Sequence, residues 1–201
     1  MAVLEIVTMP DDGLRQKSTP VTTFDDELQT LIDDMIETMR AANGVGLAAP
    51  QIGKNIQLTV IETLPRYDEE GAEIPDSRQL FVIANPRIIW ESNTVIDGIE
   101  GCLSIPGYLG EVDRAEAIRV RAQDRHGKKT KLRLTGWTAR IFQHEIDHLH
   151  GVLFIDKLTD PKHLWTEEEF DELQQAAAAA AAEADAEAEA APAAEPAAGD
   201  G

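Results

Sequence analysis

His144-Glu145-Ile146-Asp147-His148 sets two imidazoles four residues apart in a segment whose apolar residues recur at helical spacing. Side chains at i and i+4 leave a helix on one face, so both rings can reach one metal ion. Glu145, beside the first ring, can act as base on a water held by such an ion. A third ligand is still required, with a fourth position left open if the ion is to do chemistry. Trp137, Ile141, His144 and His148 lie at offsets of 4, 7 and 11, which puts the histidines on the face that the apolar residues mark as buried. Asp147 and His150 leave the helix in other directions and read as surface groups or as acceptors for a ligand imidazole.

The chain's one cysteine, Cys102, lies in Glu100-Gly101-Cys102-Leu103-Ser104-Ile105-Pro106-Gly107. A lone cysteine has two readings. Most often it is a small buried hydrophobe. Alternatively its thiolate, with Gly101 allowing close backbone approach, completes a Cys-His-His set that leaves one position for water. A third segment, Gly44-Val45-Gly46-Leu47-Ala48-Ala49-Pro50-Gln51, reads as a turn after a helix. It is not a phosphate loop, because no Lys-Ser or Lys-Thr follows.

The elements that must position these groups are legible as periodicities. Thr23, with Asp26 three residues on, reads as a helix start, and Leu28, Leu31, Ile32, Met35, Ile36 and Met39 follow at helical spacing. Asn43-Gly44 supplies the stop, where glycine can take the left-handed conformation, and residues 45–53 read as an irregular loop. Segments 57–61, 80–84, 87–90 and 95–96 have strand composition. Segments 117–122 and 129–134 alternate apolar residues with cations around an Asp124-Arg125-His126-Gly127 turn. A second helix spans 136–150 and stops at Gly151. The order of elements implies an α+β domain, with antiparallel β-sheets packed around the central HExxH helix and a further helix near the N-terminus.

A chain of 201 residues, 43% hydrophobic, can bury one core without disulfides, and a single thiol fits a reducing compartment, the cytoplasm. There is no basic-then-apolar leader and no apolar run of membrane-spanning length, so a soluble protein without a membrane partner is expected. The net charge of −19 is concentrated at one end: residues 166–201 carry eleven acids and no Lys or Arg, and removing those eleven leaves −8. That balance gives no overall basic footprint for DNA. Composition breaks near Gln175. Residues 1–175 read as the folded, catalytic part, and 176–201 as an acidic, alanine-rich tail, disordered or transiently helical. Thr166-Glu167-Glu168-Glu169 resembles a capping box for a short helix ending near Leu173.

Taken together, Gly44 to Gln51, Glu100-Gly101-Cys102-Leu103-Ser104 and His144-Glu145-Ile146-Asp147-His148 resemble the three signature motifs of the peptide deformylases of bacteria and organelles. They stand in the family's order and spacing, within a resemblance covering residues 4–158. The resemblance implies a metal-dependent hydrolase that removes the formyl group from the N-terminal methionine of nascent polypeptides, close to the ribosome. It makes Cys102, His144 and His148 the ligands of one divalent ion, iron(II) in the cell, with zinc, nickel or cobalt as substitutes. It makes Glu145 the general acid/base, and Gln51 with the backbone N–H of Leu103 the oxyanion donors. Backbone groups of Val45, Gly46 and Gly101 would bind substrate strand-fashion, and Arg140 would line the methionine pocket. Two other readings compete: an HExxH metallopeptidase, for which no suitably spaced further histidine follows His148, and a non-catalytic metal-binding protein, which has no use for Glu145.

Overall fold

The computed structural model describes residues 2–65, 67–75 and 77–190. The chain divides into two compact units, Met1–Leu164 and Trp165–Gly201. In the first, α1 (Asp26–Ala41) turns Leu28, Ile32, Met35, Ile36 and Met39 inward. Its cap is Asp25 rather than Thr23: the Asp25 carboxylate accepts from the Leu28 N–H at 3.0 Å. At the other end Asn43, not Gly44, takes the left-handed conformation, with φ +54°. Asparagine tolerates that region better than most residues, so the glycine beyond it is left free for a different use.

Between α1 and α2 (Gly136–His148), the described residues form nine strands: β1 (Gly46–Ala48), β2 (Leu58–Glu62), β3 (Leu80–Glu91), β4 (Val95–Ile96), β5 (Ile99–Cys102), β6 (Ile105–Glu111), β7 (Arg114–Ala115), β8 (Ala117–Gln123) and β9 (Lys129–Thr135). One antiparallel sheet has the order β1-β2-β3-β8-β9, β5 pairs with β6, and β4 with β7. The segment expected as a loop therefore contains β1 and a 3-10 turn, Ala49–Ile52. Three residues beginning with glycine carry little strand propensity; burial of Leu47 and Ala48 and pairing with β2 make the strand. Segments 80–84 and 87–90 are one strand, β3, with register shifts at Ala84/Arg87 and Ile88/Trp90, the first of which accommodates Pro86. β5 and β6 were not anticipated, because Gly101, Pro106, Gly107 and Gly110 dilute the pattern.

Two apolar clusters flank β2, which explains its run of four buried residues, Leu58 to Ile61. Leu58 and Val60 join the α1 cluster, and Ile61 joins Ile118, Val120, Leu134, Ile141, Phe142 and Ile146 around α2. Each fully buried side chain of this size contributes roughly 1.5–3 kcal/mol. The carboxamide of Gln143 accepts from Ala115 N–H at 3.1 Å and donates to Ala115 C=O at 2.9 Å, clamping α2 to β7. Trp137, read from its spacing as a core residue, is 49% exposed; it sits in the first turn, before the helix passes under the sheet.

In the second unit, Thr166 and Glu169 form the expected reciprocal capping box, with Thr166 N–H donating to Glu169 Oε2 at 2.8 Å and Glu169 N–H to Thr166 Oγ1 at 3.2 Å. The helix they start, α3 (Glu167–Ala190), follows the short strand β10 (Leu164–Thr166) and does not end near Leu173. Alanine has the highest helix propensity, so the run 176–182 prolongs the helix. Residues 191–201, part of the tail read as disordered or transiently helical, lie outside the described residues.

Candidate active site

The helical spacing of α2 and the β5–β6 turn bring Cys102, His144 and His148 together. Cys102 Sγ lies 3.3 Å from His148 Nε2, which lies 3.2 Å from His144 Nε2. Three lone-pair donors thus converge on one point with few hydrogens to share among them. Burial works against a charge on either imidazole, and on His148 it prevails, holding that ring's pKa well below its ordinary value. On His144 hydrogen bonds with Cys102 and Glu100 outweigh burial, and the pKa rises to about 10. One cysteine sulfur and two imidazole nitrogens brought this close together are a ligand set that fits a divalent transition metal.

Glu100, which the sequence reading left out of the site, organises it. The carboxylate is 5% exposed and accepts from Arg114 Nε and Nη2 at 2.9 Å each, from Arg140 Nη1 at 3.0 Å and from His144 Nδ1 at 2.9 Å. Burial alone would raise its pKa, but the bonds from Arg114 and His144 outweigh it and hold the group at about 2. A permanent carboxylate on Nδ1 keeps a proton on that nitrogen and turns Nε2 of His144 towards Cys102 and His148, the side on which an ion would be held. The signal was present: Glu100 and Cys102 are two residues apart, the spacing that shares one face of a strand. Without β5 in view it could not be used.

Asp147 does not accept from a ligand imidazole. It bonds Arg114 Nη1 and lies 3.3 Å from Lys157 Nζ, because the position after Ile146 faces β7 rather than the metal ligands. His150 lies beyond the end of α2, its Nδ1 2.8 Å from the Ile146 carbonyl. Arg140, expected at a methionine pocket, is 3% exposed, and its guanidinium is committed within the protein. Nη1 donates to Glu100, Val112 C=O and Gly98 C=O, and Nη2 to Ile96 C=O at 2.7 Å. At this helix position the head group meets one carboxylate and three backbone carbonyls, those of Ile96 on β4, Gly98 and Val112, so it is enclosed rather than presented.

Glu145 is 4% exposed, and burial pushes its carboxyl up to about 7. A group with a pKa near neutrality can both accept and return a proton. Thr59 Oγ1 donates to its Oε2 at 3.4 Å. Gly46 packs directly on it: a Cβ at that position would stand 2.6 Å from Glu145 Cδ. Here the glycine is required for close approach, not for its backbone angles.

Gln51 is 1% exposed, and its amide is oriented by its neighbours. Oε1 accepts from Ala48 N–H at 2.8 Å, so Nε2 must point the other way, towards Ser104 Oγ at 3.2 Å and Cys102 Sγ at 3.6 Å. Leu103 occupies the turn between β5 and β6, beside Gly44, where an added Cβ would meet its Cδ1 at 2.8 Å. Gly46 lies on β1, an edge strand, and Gly101 on β5, paired on one side only by β6, so two strand edges border Glu145 and Cys102. The carbonyl of Val45 already accepts from Glu62 N–H at 2.9 Å.

Residues 3–164 match the family model described as polypeptide deformylase. A peptide deformylase of Symbiobacterium thermophilum is 45% identical over 177 residues, which cover 88% of this chain and 76% of the relative. One from Thermomicrobium roseum is 42% identical over 178 residues, 88% of this chain and 98% of the relative. Among solved structures, the peptide deformylase of Thermotoga maritima superposes with a TM-score of 0.71 at 36% identity, covering 80% of this chain and all (100%) of that one. The Synechococcus elongatus enzyme, crystallised with actinonin, gives 0.70 at 39% identity, covering 81% and 82%. A match of this extent, on a chain that brings the three motifs to one point, places the chain in the polypeptide deformylase family.

Proposed function

We propose that this chain hydrolyses the formyl amide at the N-terminal methionine of newly made polypeptides, releasing formate and a free amine. The observation that carries the reading is the convergence of Cys102 Sγ and the two histidine Nε2 atoms beside a buried carboxyl with a pKa near 7. Cys102, His144 and His148 would hold one divalent ion, iron(II) in the cell, with zinc, nickel or cobalt able to replace it. Such an ion, when bound, polarises a carbonyl and brings water towards a pKa of about 7.

The remaining steps belong to the protein's own groups. Glu145 takes a proton from the attacking water and returns it to the departing amine, a task that suits a carboxyl neither firmly acidic nor firmly protonated. Charge developing on the formyl oxygen is met by Gln51 Nε2, held in place through Ala48, and by the N–H of Leu103. One such donor is worth about 3 kcal/mol of transition-state stabilisation. Val45 and Gly46 on one side and Gly101 on the other offer backbone to an extended peptide, as strand edges do. Arg140 acts through Glu100, as a positioning residue. Thr59, by its contact with Glu145, does the same.

An HExxH peptidase with a third histidine or carboxylate is less well supported, because Cys102 occupies the third place. A structural metal protein would close the fourth. We read residues 1–175 as the catalytic part and 176–201 as an appendage. We also place the protein in the cytoplasm near ribosomes, without DNA or membrane partners; no helix among the described residues is long and apolar enough to cross a membrane.

Formate release from a formyl-methionyl tripeptide, with metal analysis of the same sample, tests the reading. Cys102→Ser should lose both bound metal and turnover; normal values for both would remove Cys102 from the ligand set. Gly46→Ala should keep the metal but lose about 10²-fold in kcat, because its methyl group displaces Glu145 and a misplacement of about 1 Å costs that much. Deletion of 176–201 should leave kcat/KM and the unfolding midpoint nearly unchanged, since the segment lacks large apolar side chains. A tenfold fall in kcat/KM would show that it reaches the site.

A further inference from the structure

The outer face of the five-stranded sheet carries a concentration of positive charge that the composition conceals. Along β8 and β9 the inward positions are apolar except for Thr130, and the outward ones include Arg119 and Arg121, then Lys129, Lys131 and Arg133. Arg87 of β3 is exposed beside them. These are six of the chain's 18 Lys and Arg residues, in a chain with 37 acids, and none of the outward positions on β8 or β9 is acidic. None of the six has an ion-pair partner among the described residues.

Pairing makes the arrangement costly. Arg87 stands opposite Arg121, Arg121 opposite Lys131, and Arg119 opposite Arg133, three like-charge pairs across neighbouring strands. Like charges directly opposite destabilise a sheet. Neighbouring strands are about 4.8 Å apart and outward residues repeat about every 6.7 Å, so the six fields overlap within a Debye length. Cations on the edge strand β9 could be explained as protection against edge-to-edge pairing. That explanation does not reach Arg87, Arg119 and Arg121, which lie on the interior strands β3 and β8. At the margin stands Trp90, 45% exposed, with Arg119 Cζ 4.9 Å from its ring centroid.

We propose that this face is a docking surface for unpaired segments of RNA, the six cations meeting phosphates and Trp90 with Arg119 stacking on a base. A lattice of cations with an exposed aromatic at its edge is the combination that holds single strands without reading sequence. The choice of RNA over DNA rests on the proposed action on newly made chains, which are built on an RNA-rich machine. Neither the cations nor Trp90 belongs to the metal-ligand cluster or touches Glu145, so docking and turnover can be tested apart.

The test is fluorescence anisotropy of the full chain with a labelled 20-nucleotide single-stranded RNA of mixed sequence. With six phosphates engaged, log K should fall with log salt at a slope of roughly −4, about 10²-fold between 50 and 200 mM. Arg121→Gln/Lys131→Gln/Arg133→Gln should bind at least tenfold more weakly at 50 mM salt, and the slope should be about half. Formate release from a small formylated peptide should not change. Trp90→Ala should abolish the preference for single-stranded over duplex RNA. No binding by the unaltered chain at 50 mM salt, or a slope near zero, overturns the proposal whatever the variants do. Undiminished binding by the triple variant overturns the assignment to this face, and equal affinity for single-stranded DNA or heparin overturns the assignment to RNA. Loss of formate release in the unaltered chain with RNA binding intact would sink the catalytic reading alone.

Discussion

Glu145→Gln lowers kcat on a formyl-methionyl peptide by at least about 10²-fold, within the 10²–10⁴ range that a positioned acid/base supplies, while the metal content stays at that of the unaltered protein. The separation follows from position. Glu145 is not among the three atoms that converge on the metal point, yet it is the buried carboxyl nearest to them in sequence and is pressed against Gly46. Glutamine has the same shape, keeps an oxygen for the Thr59 hydroxyl and leaves Cys102, His144 and His148 in place. What it lacks is a site that can accept a proton from water and deliver it to the amine. KM should change little, because the strand edges proposed to bind the peptide are untouched. An unaltered kcat in a fully metallated variant would refute the assignment of the base.

Arg114→Met costs about 3–5 kcal/mol of stability, the range found when one partner of a buried ion pair is removed, and lowers the thermal midpoint by roughly 6–20 °C for a chain of this size. Arg114 is 3% exposed; two of its nitrogens bind Glu100 and a third binds Asp147. Methionine can fill much of the same volume but leaves Glu100 buried with a single guanidinium, that of Arg140. The energy comes from the abandoned carboxylate rather than from a lost attraction. Arg78→Met, removing an ion pair between side chains that are 50% and 45% exposed, should leave the midpoint where it was. The readout that separates positioning from mere stability is metal affinity: with Glu100 less firmly held, His144 loses the partner that fixes its tautomer, and affinity should fall by 10–100-fold. Differential scanning calorimetry and metal titration check the two halves. Equal midpoints for Arg114→Met and Arg78→Met would refute the account.

The sequence by itself determined those features whose physics is local. The i, i+4 spacing of His144 and His148 puts both rings on one face wherever the helix lies. The 3.6-residue recurrence from Leu28 to Met39 marks a buried stripe, and the alternation of 117–122 and 129–134 marks a half-buried hairpin with its turn at Gly127. Together with the motifs at Gly44, Glu100 and His144, these were enough for the fold class and for the reaction. Other features were decided only by tertiary structure, because they depend on what lies across space. β1 and β5 exist through pairing and burial rather than propensity, so neither the close approach of Gly46 to Glu145 nor the shared strand of Glu100 and Cys102 was visible in one dimension. The resemblance assigns Arg140 to a pocket and the helix position offers Asp147 to an imidazole; which buried partner each finds depends on β5 and β7 packing against α2. The basic sheet face needed three strands in register before six scattered cations, in a chain of net charge −19, became one surface. Helical and strand periods are properties of a single segment, whereas ion pairs, close approaches and charged faces are properties of pairs of segments, and their energies are set by the burial that folding alone creates.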